Sequence, residues 1–366
     1  MRGRESKQTR MVLTTLSPEA KIPEKHPIRR IKTIADFALT GLAPLFDEMY
    51  SQSGRPSIPP ERLLKGTLLI HLYSVRSERQ FCEQLDYNLL FRWFLDMDIE
   101  TPTFDATTFT KNRDRLMAHD AGKRFFEEVI YTAQLASLLS SDHFTLDGTL
   151  IDACASLKSL RRKDEAGKDR TPPDDPGNPT VNFRGEKRTN DTHESSTDPE
   201  AKLARKGDGF EARLRFAQHV LMENRHGLVV DVRLTPAVGV TEREIGLEML
   251  KGVAAKQRRI TVGGDKGYDT RGFVAGCREQ NVTPHVAQAL RRSGGSAIDN
   301  RTTRHEGYRL SQRIRKRVEE IFGWQKTVAG FRRTRYRGVA KNQFASYLIA
   351  AAYNMLRMSR LIGAAA

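Results

Sequence analysis

The run His143-Phe-Thr-Leu-Asp-Gly-Thr-Leu-Ile-Asp-Ala153 limits this chain's fold more than any other stretch. Phe144 and Leu146 alternate with Thr145, the period of a half-buried strand, and the alternation breaks at Asp147-Gly148, where a glycine lets the backbone turn. The expectation is a strand that delivers a carboxylate at its end.

Downstream, the same period returns over residues 210–222, with Leu214, Phe216, Val220 and Met222 on one face. Asn224-Arg-His-Gly227 reads as a hairpin turn into a second strand over residues 228–234. Residues 242–255 are helical in period, through Ile245, Met249 and Val253. Ile260 and Val262 mark a fourth strand that ends at Asp265-Lys-Gly-Tyr-Asp269, with Asp269 as the N-cap of a helix through Phe273, Val274 and Cys277. Residues 282–287 form a fifth strand. Three strands, helix, strand, helix, strand, helix predicts an α/β domain with a mixed five-stranded sheet flanked by helices, the ribonuclease-H-like arrangement. A polar stretch at 158–209, with Pro172-Pro-Asp-Asp-Pro-Gly-Asn-Pro179 and no apolar period, reads as a loop or disordered insertion.

The first part of the chain has a different period. Residues 1–25 are basic and polar, a flexible N-terminus. Residues 31–49 suggest one or two short helices broken near Gly41. Pro59 and Pro60 open a helix with Leu63, Leu64, Leu68 and Leu72 buried, and Ser77-Glu-Arg-Gln80 has capping-box spacing for the next. Residues 89–95 continue helical, and residues 107–116, with Lys111 and Arg113, form a basic helix. A linking helix covers residues 125–139. Residues 26–139 are therefore an all-α module preceding a catalytic domain at 140–366. Short helices with tight turns suit a DNA reader, and they suit a packing or dimerisation module equally.

The chain has 366 residues, enough for two domains. Its 61 Lys+Arg against 45 Asp+Glu give a net charge of +16, which favours a polyanion as partner because neutralising phosphates releases counterions. Three widely spaced cysteines, Cys82, Cys154 and Cys277, argue against a zinc site or a disulfide framework. No apolar stretch is long enough to span a bilayer, and the N-terminus has no apolar signal core, so a cytoplasmic protein is expected.

Asp147, Asp265 and a glutamate in the helical run at 311–322 could together hold divalent cations. Phosphodiester chemistry uses two hard cations roughly 4 Å apart, and Mg²⁺ takes oxygen ligands while keeping several waters. Among 45 acidic residues some such triple arises by chance, so placement has to carry the argument. Strand-end aspartates also serve as turn or N-cap residues, and Glu319 and Glu320 could be ordinary surface i,i+4 partners of Arg315 and Lys316. Periodicity does not choose between the two glutamates. Residues 301–341 hold thirteen Lys or Arg against Glu306, Glu319 and Glu320, a local balance of 13 − 3 = +10. Trp324, Phe331 and Tyr336 interleave with Arg332, Arg333, Arg335 and Arg337, a mixture suited to stacking on bases and gripping phosphates; Trp324 also reads as a core residue.

Several strings together resemble the DDE transposases of bacterial insertion sequences, in the insertion sequence five family. They are Ser57-Ile-Pro-Pro60, Gln84-Leu-Asp-Tyr-Asn-Leu-Leu-Phe-Arg-Trp-Phe94, Thr110-Lys-Asn-Arg-Asp-Arg-Leu116, Leu146-Asp-Gly-Thr-Leu150, Asp265-Lys-Gly-Tyr268 and Arg313-Ile-Arg-Lys-Arg-Val-Glu-Glu-Ile-Phe-Gly-Trp324. The resemblance covers about residues 26–361. It implies a catalytic and metal-binding triad of Asp147, Asp265 and Glu319, dependence on Mg²⁺ with Mn²⁺ as a substitute, and DNA cleavage and strand transfer at element ends. It also implies double-stranded DNA as partner, both end repeats and target, and a homodimer or higher multimer on that DNA. A related Tyr-Arg-Glu-Lys signature maps onto Arg315, Glu319 and Lys326, but its tyrosine position is Gln312. Arg313, Arg315, Arg317, Lys326, Trp324, Lys111 and Arg113 are the expected DNA contacts. Two rivals remain: a decayed copy that binds DNA without cutting, and a ribonuclease-H-like nuclease that cuts without joining.

Overall fold

A computed structural model describes residues 18–50, 57–165, 188–207, 209–239, 241–254, 258–291 and 293–365. Most of the basic N-terminus and the centre of the 158–209 stretch lie outside the described residues.

The described residues up to Leu135 supply eight helices: α1 (Pro18–Lys21), α2 (Pro27–Gly41), α3 (Ala43–Met49), α4 (Pro60–Leu72), α5 (Glu78–Tyr87), α6 (Leu89–Phe94), α7 (Ala106–Ala118) and α8 (Ala121–Leu135). The local signals act as expected. Pro60 is the first residue of α4. The Ser77 hydroxyl accepts from the Gln80 amide at 3.1 Å while the Gln80 side chain accepts from the Arg76 amide at 3.0 Å, closing the N-terminus of α5.

The sheet begins with β1 (His143–Asp152), followed by β2 (Leu160–Arg162), β3 (His193–Ser195), β4 (Lys202–Ala204), β5 (Arg213–Glu223) and β6 (Val229–Pro236). Then come α9 (Thr241–Val253), β7 (Ile260–Gly264), α10 (Arg271–Glu279) and β8 (Val282–Val286). The five long strands lie in the order β6-β5-β1-β7-β8, with β5 antiparallel to its neighbours and β1, β7 and β8 parallel. This is the ribonuclease-H-like arrangement. Helices α11 (Asn300–Thr303), α12 (Glu306–Ile314), α13 (Val318–Thr327) and α14 (Val339–Ala365) complete the chain.

Two expectations need correction. The stretch at 158–209 is not featureless: Leu160, His193, Ser195 and Ala201 are buried, β2 and β3 form a two-stranded sheet, and β4 adds a sixth strand to the main sheet against the start of β5. Period reading missed them because three-residue strands are too short to show alternation. The helical run at 311–322 is also interrupted, by a 3-10 turn over Arg315–Arg317 between α12 and α13.

Alternation along the strands sorts the core. Phe144, Leu146 and Leu221 face α9 and α10, packing with Met249, Leu250, Phe273 and Cys277. Ile151, Phe216 and Leu234 face the other way, with Ala345 and Ile349 of α14. Gln218 of β5 sits between two helices on that second face: it accepts from Gln325 of α13 at 2.5 Å and donates to Ser346 of α14 at 3.2 Å. α14 does more than cover the sheet. Its Leu348, Ala352 and Met355 share one core with Ile31, Leu64 and Phe125 of the helical region. Further bonds fasten that region to the segment after α13, among them Ser74 Oγ to Val328 O at 2.7 Å and Tyr336 OH to Glu78 Oε1 at 2.8 Å. No helix among the described residues is long and apolar enough to cross a membrane.

Candidate active site

The parallel ladder between β1 and β7 has three rungs, and the last joins Thr145 to Gly263. Beyond it the two strands separate. Asp147 and Asp265 each stand two residues past that rung, and a strand repeats its facing every two residues, so both carboxylates emerge at one splay on one face. Crevices at the carboxyl ends of such strands are where open α/β sheets bind ligands.

The expected strand end at Asp147 is corrected here. β1 continues to Asp152, paired with β5 without a break from Phe144↔Glu223 to Asp152↔Arg215. What ends beside Asp147 is its partnership with β7. Gly148 serves close approach rather than a turn: a Cβ there would meet Glu242 Oε1 at 2.6 Å. Gly246 does the same one turn along, where a Cβ would lie 2.4 Å from Leu146 Cδ2. These two glycines let α9 sit hard against β1, bringing Glu242, in its first turn, up to the splay from the opposite face.

Asp147 Oδ1 accepts from the Gly148 amide at 2.8 Å, and Asp265 Oδ1 from the Gly267 amide at 2.7 Å. Tyr268 is buried and donates its hydroxyl to Glu242 Oε1 at 3.0 Å. Burial pushes the Asp147 carboxyl up to about 7; Asp265 and Glu242 add to the rise, while the Gly148 amide and Arg315 oppose it. Glu242 is raised as well, by burial first and by Asp265, against the Tyr268 hydrogen bond. Tyr268 is raised in turn, by burial and then by Glu242 and Asp147.

From the other side come α13 and the turn before it. Arg315 bonds Gln312 Oε1 through Nε at 3.1 Å, and Gln312 donates to the His285 carbonyl at 2.6 Å. Gln312, where the related signature has tyrosine, thus ties Arg315 to the end of β8. Lys326 donates to Thr149 Oγ1 at 2.5 Å, two residues along β1 from Asp147. Glu319 lies seven residues before Lys326, two turns along α13, which puts those two on one helical stripe, while Arg315 precedes α13 in the 3-10 turn. The Glu319 side chain is exposed. Glu320 turns elsewhere, accepting from Arg357 of α14 at 2.6 Å.

The other expected contacts divide by what they touch. Lys111 and Arg313 are exposed. Arg113 is buried, paired with Glu78 and 4.1 Å above the Tyr336 ring. Arg317 donates to the carbonyls of Asn224 and Arg225 at 2.6 and 2.9 Å. Trp324 is half-buried with its ring 5.7 Å from Tyr353. Asp269 does not cap α10, as Thr270 takes that place; its carboxylate instead accepts from the Ala289 and Ala297 amides at 2.6 and 2.9 Å.

Sequence reasoning did not single out Glu242. The glycine beside Asp147 was the available signal, since a glycine inside a strand often marks the close approach of another group.

Family models match two parts of the chain: a transposase domain of the DUF772 type over residues 16–115, and a transposase DDE domain over residues 140–355. The chain belongs to the DDE transposases. Among solved structures this transposase is similar to a piggyBac transposase synaptic complex with hairpin DNA, at 9% identity over 92% of this chain and 76% of that one, with a TM-score of 0.42. It is also similar to a pre-cleavage Mos1 transpososome, at 10% identity over 92% and 98% of the two chains, with a TM-score of 0.21. No curated protein matches the sequence.

DDE transposase domains generally use divalent metal ions. Among the described residues no three His, Cys, Asp or Glu side chains form a closed metal cluster. The donor chemistry nevertheless fits a hard cation. The groups at the splay are carboxylates, without thiol or imidazole among the described residues there, and burial among like charges raises the Asp147 carboxyl, a strain that a cation would relieve.

Proposed function

We propose that this transposase binds the end repeats of a bacterial insertion sequence of the insertion sequence five type and catalyses Mg²⁺-dependent DNA cleavage and strand transfer. The observation that carries the reading is the pair Asp147 and Asp265, each two residues past the last β1–β7 rung on one face, with Arg315 and Lys326 alongside.

Asp147 and Asp265 would hold the divalent cations, with Glu319 completing the set from α13. The cations, when bound, activate the attacking oxygen and stabilise the leaving oxygen. The protein's own groups do the positioning. Lys326, fixed by Thr149, and Arg315, fixed by Gln312, offer cationic donors to the non-bridging oxygens of the scissile phosphate. Exposed Arg313 and Lys111 are free to meet DNA further out, whereas Arg113, Arg317 and Trp324 act through the packing described above. A first in-line attack by water frees a 3′-hydroxyl at the element end, and that hydroxyl then attacks target DNA at the same site. No covalent protein intermediate is needed.

The test is cleavage and strand transfer on a duplex carrying the element ends, comparing the unaltered chain with Asp147→Ala, Asp265→Ala and Glu319→Gln. All three should lose both reactions and still shift the duplex on a gel. An unaltered chain that binds but never cuts refutes the proposal, and one that cuts without joining reduces it to a nuclease.

A further inference from the structure

Beside the candidate site, though not lined by Asp147 itself, lies a cleft of about 1260 Å³ that Lys326 also lines, larger than the roughly 300–1,000 Å³ of a small-molecule site. Gly148 and Glu242 line one end. From there it follows β1 past Thr149 to Asp152 and the start of β5, and its outer wall is built from residues 188–191 and 203–206, in the segment between β1 and β5. Among the described lining residues seven Lys or Arg oppose three carboxylates, Asp152, Asp191 and Glu242.

The cations are not equally available. Asp152 engages Arg215 at 2.7 Å and Arg213 at 3.4 Å. Arg205, Lys206 and Arg332 are exposed, and no carboxylate among the described residues pairs with them. Lys206 and Arg332 stand close enough to Lys326 to help burial lower the pKa of its ammonium. Three positive groups from three separate segments therefore crowd one region, where the nearby anion that acts on Lys326 is Asp152, itself engaged by Arg215 and Arg213. Among the described residues the lining includes no Phe, Tyr or Trp, and the imidazole found there, His219, is buried and bonded to Thr235 at 3.0 Å. Such a surface is suited to holding phosphates more than to reading bases.

We propose that this cleft is a sequence-independent track for the phosphates of one DNA strand leading away from the scissile phosphate, with Lys206 of the inserted segment and Arg332 after α13 as its free grips. The assignment rests on the transposase reading above. The inserted segment is then one wall of the DNA path, and β4, by adding to the edge of β5, fixes that wall to the sheet.

The experiment measures binding of a labelled mixed-sequence single-stranded oligonucleotide and of a mixed-sequence duplex, across a salt series, to the unaltered chain and to Lys206→Gln/Arg332→Gln. Loss of two phosphate contacts should lower the slope of log affinity against log salt by about 1.4 and weaken single-strand binding in 0.1 M salt by about tenfold or more. The loss should be the same for a second, unrelated sequence. Both side chains are exposed, so thermal unfolding should not move. An unchanged slope, or a loss confined to one sequence, overturns the track. If the unaltered chain binds duplex but no single strand, the track fails while the transposase reading stands; if it binds neither, both fail.

Discussion

Replacing Asp147 by asparagine should stabilise the metal-free protein, by an amount that depends on pH. The Asp147 carboxyl is raised from 3.8 to about 7, with burial the largest cause. A group raised in the folded state adds no penalty while it is protonated in both states, below its unfolded pKa. The folded state then loses stability as pH climbs from that value through the folded one, because the unfolded chain ionises freely and the buried carboxyl does not. Raised that far, the carboxyl carries a penalty of under about 1 kcal/mol at pH 4 and about 4 kcal/mol at pH 8. Asparagine keeps an oxygen for the Gly148 amide and carries no charge, so Asp147→Asn should remove most of that penalty. Urea unfolding in EDTA, repeated from pH 4 to 8, should show a gap in favour of the variant that widens with pH. Adding Mg²⁺ should stabilise the unaltered chain more than the variant and narrow the gap, by mass action on the folded state. A variant less stable than the unaltered chain at pH 8, or a gap indifferent to pH, would refute the assignment of Asp147 as a buried carboxyl crowded by like charges.

Other substitutions probe the surroundings. Gly148→Ala places a Cβ within 2.6 Å of Glu242 Oε1, so strand transfer should fall while Gly148→Ala/Glu242→Ala recovers much of the stability lost, a non-additivity readable in a double-mutant cycle. Gly246→Ala, whose Cβ would press on Leu146 Cδ2 at 2.4 Å, should cost about 1–3 kcal/mol in denaturant unfolding by overpacking. Glu320→Gln breaks a half-exposed pair with Arg357, costing at most about 1 kcal/mol and leaving strand transfer intact, whereas Glu319→Gln should abolish transfer at unchanged stability. If Glu320→Gln is the inactive one, the α13 position has been assigned to the wrong glutamate. Buried His71 and His219, both lowered to about 4 chiefly by burial, should make the fold lose stability as pH falls below their ordinary value near 6.5. His71→Gln should flatten part of that acid limb.

The sheet was legible because its long strands follow a strict two-residue alternation with one or both faces buried, and because Ser77, Pro60 and Gly41 punctuate the helices by local chemistry. The short strands of the inserted segment were not. β2, β3 and β4 have three residues each, and what holds them is tertiary: Leu160, Ser195 and Ala201 are buried by partners far away in sequence. The same holds for the join between the helical region and the sheet. α14 reads as a helix that covers the sheet, and its apolar period alone does not tell that Leu348, Ala352 and Met355 also close the core of α2, α4 and α8.

The splay behind the candidate site explains why two carboxylates could be found from sequence and a third group could not. Asp147 and Asp265 follow their own strands, so the period that marks each strand also fixes the facing of its aspartate. Glu242 belongs to a helix, and nothing in that helix's own apolar stripe directs it to β1. Its position depends on two absent side chains, at Gly148 and Gly246, that admit α9 to the strand. A glycine inside a strand was read as a turn because turns are its commonest use, yet here the strand pairs straight through it. The informative sign was the conflict itself: apolar residues return two positions after Gly148, at Leu150 and Ile151, too soon for a turn and a new strand. A glycine that interrupts neither the ladder nor the apolar sequence beyond it is occupied by something else, and beside a candidate catalytic carboxylate that something is worth mutating first.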